Sequence, residues 1–431
     1  MPTPTSDPAR QTLLGAPEAF ASLACVANRL RRGIGHVQIE ATGDSITRGP
    51  TKRRMSYPAQ LNQLLHSEFP LANVTVRNRG LSGGTLEMIA ACHHRMASSQ
   101  ADIVVLETTD NLGFTTPQKA TKLLEQIVAA LRRRTQPRPE IVLVSPFAQD
   151  CARRLLHKRP YTRSNESTAA HLAACFSDDT LPSAVERLAA RLGIPCVSMR
   201  AGLRSLLMAA TDPQAIVQQY VQQDAVHPNY VGYSLLARGL FHAFQRAAAA
   251  DCHPPSIPSS PPTPPSPLTC AFGEEMRGLV VETHGWAYVT EHSRQGAPKP
   301  GYVTRVPGAT LDLCHHGKSV WQFAYLKSYE GMGRARGQCV GGCSCKPRIW
   351  DGLTPSRVSQ STISKLAPIK HHSLQGQNTT AQHQGCRCVV RLTSLPATSG
   401  EGPHKFKIDA LFSSFRIYSG AELNGVVDSN E

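Results

Sequence analysis

Residues 254–267 read PPSIPSSPPTPPSP, and no compact core can be built through such a segment. Proline supplies no amide hydrogen to a helix or a central strand. Serine and proline together also bury too little apolar surface to offset the entropy of ordering. The stretch reads as an extended polyproline spacer, and it cuts the chain into two folding units. We expect a disordered N-terminus over 1–16, a first domain over 17–250, a linker over 251–269 and a second domain over 270–431. A chain of 431 residues is long enough for two cores.

The two flanks carry different periodicities. In the first, residues 17–32 (PEAFASLACVANRLRR) place Phe20, Leu23, Ala24, Ala27 and Leu30 at helical spacing. Further helices are expected at 56–69, 119–134, 183–192 and 231–249. Between them stand expected strands at 36–41, 74–78 and 195–199, and short apolar runs at 103–106 and 141–144 suited to strands buried on both faces. Alternating β and α elements imply an α/β fold, a parallel sheet covered by helices on both sides. After the linker, runs at 278–281, 286–290, 310–313, 320–326, 388–392 and 405–411 are rich in β-branched and aromatic residues and are separated by Gly, Pro and Ser. That pattern suggests a β-sandwich-like second domain.

The formal charge is +15, but the basic residues are scattered, as in Arg31-Arg32, Lys52-Arg53-Arg54, Arg132 to Arg134 and Arg153-Arg154. No basic stripe interleaves with aromatics, so nucleic acid is not an expected partner. A solvated basic surface is the simplest reading, and a preference for an acidic substrate is its alternative. No run of apolar residues is long enough for a transmembrane helix, and a monomer is expected. Eight of the 13 cysteines follow position 250, which argues for an oxidising compartment; Asn73, Asn165 and Asn378 could accept glycans if the chain were secreted. The N-terminus MPTPTSDPAR lacks the form of a signal peptide; a truncated start would reconcile the two signals with an extracellular or secretory-pathway location. Cys339, Cys343, Cys345, Cys386 and Cys388 are read as disulfide partners rather than zinc ligands, because Cys-x-Cys spacing departs from the usual Cys-x2-Cys pairs. His315-His316 and His371-His372 are read as surface residues.

Three segments can carry chemistry. Gly43-Asp44-Ser45-Ile46-Thr47-Arg48-Gly49 follows the first expected strand, where open α/β sheets bind ligands. A serine there becomes a nucleophile once a base takes its proton. Asp224-Ala-Val-His227-Pro228 supplies that base. Spacing of three lets the carboxylate fix the imidazole tautomer while the other ring nitrogen faces Ser45. An oxyanion would need donors. These are the Ser45 backbone N–H, a glycine of the block Asn78-Arg-Gly80-Leu-Ser-Gly83-Gly84, and the side-chain amide of Asn111 in Glu107-Thr-Thr-Asp110-Asn111. Asp110 and Asn111 are neighbours, so only one can face the oxyanion, and an amide stabilises negative charge where a carboxylate repels it.

GDSITRG, NRGLSGG, TTDN and DAVHP stand in the order and spacing of the four signature blocks of the SGNH (GDSL-like) hydrolases, and residues 17–250 resemble that superfamily. The resemblance implies a flavodoxin-like three-layer α/β/α fold and an esterase, lipase or carbohydrate-deacetylase activity. It gives Ser45 as nucleophile, His227 as base, Asp224 as acid and Ser45, Gly83 and Asn111 as the oxyanion hole. It implies no cofactor and no metal. The third block departs from the usual Gly-x-Asn-Asp; its opening Glu107 is similar to relatives in which the strand ends Glu-x-x-x-Asn-Asp, a register that selects Asn111. The Ser–Pro linker resembles those of green-algal wall proteins. The run YLKSYE at 325–330 with Cys339-x3-Cys343-x-Cys345 resembles algal and plant proteins that carry an SGNH module. The expected activity is that of a serine ester hydrolase deacylating (deacetylating) a carbohydrate, such as a cell-wall polysaccharide or glycoconjugate, or another small acyl ester. The alternatives are an inactive SGNH scaffold that binds glycan or a partner, a lipase acting on longer chains, and an acyltransferase of the same fold.

Overall fold

The computed structural model describes residues 8–15, 17–50, 55–108, 116–133, 138–156, 168–252, 269–292, 298–316, 320–355, 359–366, 368–371, 386, 388–396 and 404–413. The chain divides into two compact units, Met1–Thr263 and Pro264–Glu431; the proline segment 254–267 lies outside the described residues.

The first unit is built on a sheet of β1 (Leu13–Leu14), β2 (His36–Thr42), β3 (Asn73–Asn78), β4 (Ile103–Glu107), β5 (Glu140–Ser145) and β6 (Cys196–Ser198) in the order β1-β6-β5-β4-β2-β3. β2 to β6 are parallel, and β1 joins the edge antiparallel to β6. Without that edge strand the order is 2-1-3-4-5 in chain order, the flavodoxin-like arrangement, whose crevice opens where strand order reverses, beside the ends of β2 and β4. β4 is buried along its whole length, as a strand covered by helices on both faces must be. The core joins Ile39, Ile103, Val105, Val142 and Val144 of the sheet to Phe20, Leu23, Leu61, Leu236 and Phe244 of the helices. Residues 8–14 are not disordered: Pro8–Gln11 form a helical turn and Leu13–Leu14 pair with Val197 and Cys196. The buried Thr12 anchors this turn against Gly202 and Gly239, where any Cβ would lie 2.3 Å from a Thr12 side-chain atom.

Disulfides between described residues fasten this unit. Cys25–Cys252 ties the helix Pro17–Arg32 to the chain just beyond the closing helix Tyr230–Ala248, and Cys151–Cys175 joins the helices Gln149–Leu156 and Thr168–Cys175. Cys196 is buried and free. No described helix is long and apolar enough to cross a membrane.

The second unit is all β. Its strands are β7 (Thr269–Phe272), β8 (Val280–His284), β9 (Ala287–His292), β10 (Pro298–Thr304), β11 (Thr310–His315), β12 (Trp321–Lys327), β13 (Arg334–Gly341), β14 (Cys343–Cys345), β15 (Arg348–Asp351), β16 (Gln360–Leu366), β17 (Ile369–His371), β18 (Cys388–Leu395) and β19 (Phe406–Ser413). One sheet runs β16-β12-β19-β10-β9, with β7 also on β19, and a second runs β15-β13-β18-β11-β8; β14 and β17 make a short pair. Phe323, Phe406 and Ile408 of the first sheet share a core with Leu311, Leu313, Val390 and Leu392 of the second. Phe323 meets Trp350 edge-on at 4.8 Å, as facing sheets of a sandwich do. Disulfides Cys314–Cys386, Cys339–Cys345 and Cys343–Cys388 gather at one end. The sulfurs of Cys339, Cys343 and Cys388 lie within 4.8 Å of one another, but as disulfides they offer no thiolate to a metal. His315 overturns its surface reading. It is fully buried, because strand alternation turns it inward opposite Cys388, with its ring stacked 6.2 Å from that of His371.

Candidate active site

Three chain segments meet at the C-terminal edge of β2. The first is the turn after that strand. Asp44 caps the short helix Ser45–Arg48 by accepting from the Ile46 N–H at 2.7 Å, which puts Ser45 at the first helical position, where a backbone N–H has no acceptor within the helix. Gly43 is required by packing: a Cβ there would sit 2.3 Å from both Glu107 Oε2 and Thr47 Oγ1.

The second segment is Asn78–Gly84. Leu81 N–H donates to the Gly43 carbonyl at 2.9 Å, and Asn78 Nδ2 donates to the Thr47 carbonyl at 2.7 Å. Gly80 packs so closely that a Cβ would lie 2.2 Å from Arg48 N. Gly83 follows with φ of 78°, a left-handed conformation that favours glycine. A Cβ on Gly84 would lie 3.9 Å from Asp44 Cα. The block is thus laid against the serine turn. Asp110 and Asn111 lie outside the described residues.

The third segment is the loop before the closing helix. Gln222 N–H donates to the His227 carbonyl at 2.8 Å and Asn229 N–H to the Tyr220 carbonyl at 3.0 Å. Asn229 Oδ1 caps the helix by accepting from Val231 and Gly232 N–H. Gly232 allows the approach, since a Cβ would lie 2.1 Å from the Tyr220 carbonyl oxygen. Ala225 sits at φ 57°, and this sharp turn folds Asp224 back: its Oδ1 accepts from Val226 N–H at 2.9 Å and His227 N–H at 3.0 Å.

Between these segments, Asp224 Oδ2 lies 2.7 Å from His227 Nδ1, and His227 Nε2 lies 2.9 Å from Ser45 Oγ. An ionised carboxylate only accepts, so Nδ1 carries the proton and Nε2 is left to accept from the serine hydroxyl. Burial alone would raise the Asp224 carboxyl. The hydrogen bond and charge of the His227 ring, with the two backbone N–H groups, outweigh it and hold the group below its ordinary value.

Sequence reasoning passed over the layer beneath the serine. Glu107 served there only to set the register of its block, yet its fully buried carboxyl takes hydrogen bonds from Asp44 N–H and the Thr47 hydroxyl. An acidic residue ending an otherwise apolar buried strand was the available signal.

Residues 41–235 match the GDSL-like Lipase/Acylhydrolase family. No curated protein matches the chain. Among solved structures, a two-domain esterase (CEX) active on acetylated mannans is similar over 94% of this chain and 97% of its own, with a TM-score of 0.62 at 18% identity. The same esterase co-crystallised with mannopentaose is similar over 95% and 97%, with a TM-score of 0.62 at 17% identity. Axe2, an acetylxylan esterase from Geobacillus stearothermophilus, covers 48% of this chain and 94% of its own, with a TM-score of 0.35 at 19% identity. With the parallel sheet, the glycine-padded serine turn and the matching sequence, residues 41–235 form a GDSL-like lipase/acylhydrolase domain, and the chain is an ester hydrolase.

Proposed function

We propose that the chain is a serine esterase of the secretory pathway that deacetylates a polysaccharide or glycoconjugate, acting as a monomer with Ser45, His227 and Asp224 as its triad. The observation that carries this reading is the continuous hydrogen-bonded line from Asp224 Oδ2 through both nitrogens of His227 to Ser45 Oγ. In the reaction, Nε2 takes the Ser45 proton as Oγ attacks the ester carbonyl, and Asp224 stabilises the imidazolium that forms. The oxyanion is held by the Ser45 and Gly83 N–H groups and the Asn111 amide. Collapse of the tetrahedral intermediate expels the sugar hydroxyl, which leaves with the proton from Nε2. Water then repeats the sequence on the acyl-enzyme and releases acetate.

A glycan substrate is favoured by the two-domain likeness to an esterase active on acetylated mannans. Export is favoured by disulfides in both units, among them Cys25–Cys252, Cys151–Cys175, Cys314–Cys386, Cys339–Cys345 and Cys343–Cys388. The test is hydrolysis of p-nitrophenyl acetate beside acetate release from acetylated mannan and xylan by wild type, Ser45→Ala and His227→Ala. Both variants should lose hydrolysis while remaining folded. Activity within a few-fold of wild type in either one sinks the triad, and acetate release from neither polymer sinks the glycan substrate.

A further inference from the structure

Glu107 closes β4 with its carboxyl turned under the nucleophile turn. Oε2 accepts from Asp44 N–H at 2.9 Å and from Thr47 Oγ1 at 2.9 Å, so one oxygen grips the residues on either side of the Ser45–Ile46 pair. Thr47 Oγ1 lies 2.8 Å from the Tyr57 hydroxyl. Thr47 gives its proton to Glu107, so Tyr57 must donate to Thr47. The polar line therefore runs from Tyr57 through Thr47 to Glu107, all buried. Burial lifts the Tyr57 phenol well above its ordinary value, which keeps it a donor.

The other oxygen, Oε1, is buried with no hydrogen-bond partner among the described residues, and the Asp44 carboxyl, also buried, is a neighbour of the Glu107 carboxyl. Two adjacent buried carboxylates cannot both ionise, and an orphan buried acceptor is costly. A proton on Oε1 relieves both problems, because it removes one of the two charges, turns the orphan acceptor into a donor and leaves Oε2 its two accepted bonds. Burial also lifts the Glu107 carboxyl above its ordinary value, against the opposing pull of the Asp44 and Thr47 hydrogen bonds.

We propose that Glu107 is a positioning residue for the nucleophile, a neutral acid that clasps the Asp44–Thr47 turn and so aims Ser45 Oγ at His227 Nε2 and the Ser45 N–H at the oxyanion. The inference rests on Ser45 being the nucleophile. Glutamine reproduces the neutral acid atom for atom, its carbonyl replacing Oε2 and its amide replacing the Oε1 hydroxyl, whereas leucine fills the space without the clasp.

The test uses the full chain with Glu107→Gln, Glu107→Leu, Thr47→Val and Ser45→Ala. It measures kcat and KM on p-nitrophenyl acetate and the rate at which a fluorophosphonate probe labels Ser45. Glu107→Gln should stay within about threefold of wild type in both rates, the scale of a small change in hydrogen-bond strength. Glu107→Leu should lose about 10^2-fold in kcat and in labelling, the cost of a misplaced nucleophile and oxyanion donor, with KM little changed. Wild-type kcat and labelling in folded Glu107→Leu overturn the proposal, as does a Glu107→Gln enzyme as impaired as Glu107→Leu. Should Glu107→Leu fail to fold, Thr47→Val decides. It removes one accepted hydrogen bond, so a loss of about tenfold in kcat supports the clasp, and full turnover overturns it. Residual activity in Ser45→Ala would instead sink the proposed triad and leave the clasp a structural feature.

Discussion

Each unit of this protein buries a titratable side chain that its own hydrogen bonds do not fully satisfy, and the two sites differ in what surrounds them. In the α/β unit, Glu107 has one oxygen saturated by the serine turn and the other without a partner among the described residues. In the β unit, His315 has neither ring nitrogen partnered among the described residues and sits on strands that carry disulfides to either side. In the first unit, buried polarity is spent on fixing one turn, while stability comes from a large helix-on-sheet core. In the second, covalent cross-links hold the end where packing tolerates an unsatisfied imidazole. A buried polar group therefore points to function only when its partners are themselves placed by the site.

The three tryptophans, Trp286, Trp321 and Trp350, are all buried in the second unit. Their fluorescence reports that unit while ester turnover reports the other, so the comparison can be broken one unit at a time. The largest expected effect is on turnover. Ser45→Ala or His227→Ala should lower kcat by roughly 10^3-fold or more, since triad members act as a unit, with tryptophan emission unchanged. Asn111→Ala should follow, losing about 10^2 to 10^3 in kcat with little change in KM, while Asp110→Ala loses far less. Equal losses in those two variants would mean that the amide is not the donor.

Removing Cys343–Cys388 with paired Ser substitutions should destabilise the second unit by about 2–5 kcal/mol. Denaturant unfolding followed by tryptophan emission reads that loss, and p-nitrophenyl acetate turnover should not change. A parallel loss of turnover would show that the two units are energetically coupled.

The smallest effect is a pH dependence. Burial first, then the neighbouring His371 and His316, push the His315 imidazole down to about 4. The unfolded chain therefore binds a proton between about pH 6.5 and 4 that the folded one refuses. This contribution to stability is complete above pH 6.5 and is lost as pH falls toward 4, by up to about 3 kcal/mol. His315→Phe should flatten that part of the pH profile of the tryptophan-detected transition. An unchanged slope would assign it to another group.

Much of this was legible in the sequence where local chemistry decides structure. The apolar runs became β4 and β5 because four or five buried residues in a row suit a covered parallel strand. Ser45, Asp224 and His227 stood out because a triad needs those side chains beside turns. The helices Met199–Ala209 and Pro213–Tyr220 were not read. The first begins directly at the end of β6, capped by Ser198, with no Gly or Pro to punctuate it. Glu107, Thr47 and Tyr57 were silent because their roles depend on which strands are neighbours. Cys25 and Cys252 gave no sign of pairing across 227 residues, and spacing alone cannot supply connectivity. His315 was misread because one residue of strand register decides which face it takes.

The Cys25–Cys252 bond also orders events in the making of the protein. Cys25 leaves the ribosome first and must wait for a partner 227 residues behind it. By then every strand of the parallel sheet and the whole helix Tyr230–Ala248 has been made. Closure of that bond therefore marks a completed catalytic unit. A later cut in any loop between the two cysteines would leave both fragments covalently joined.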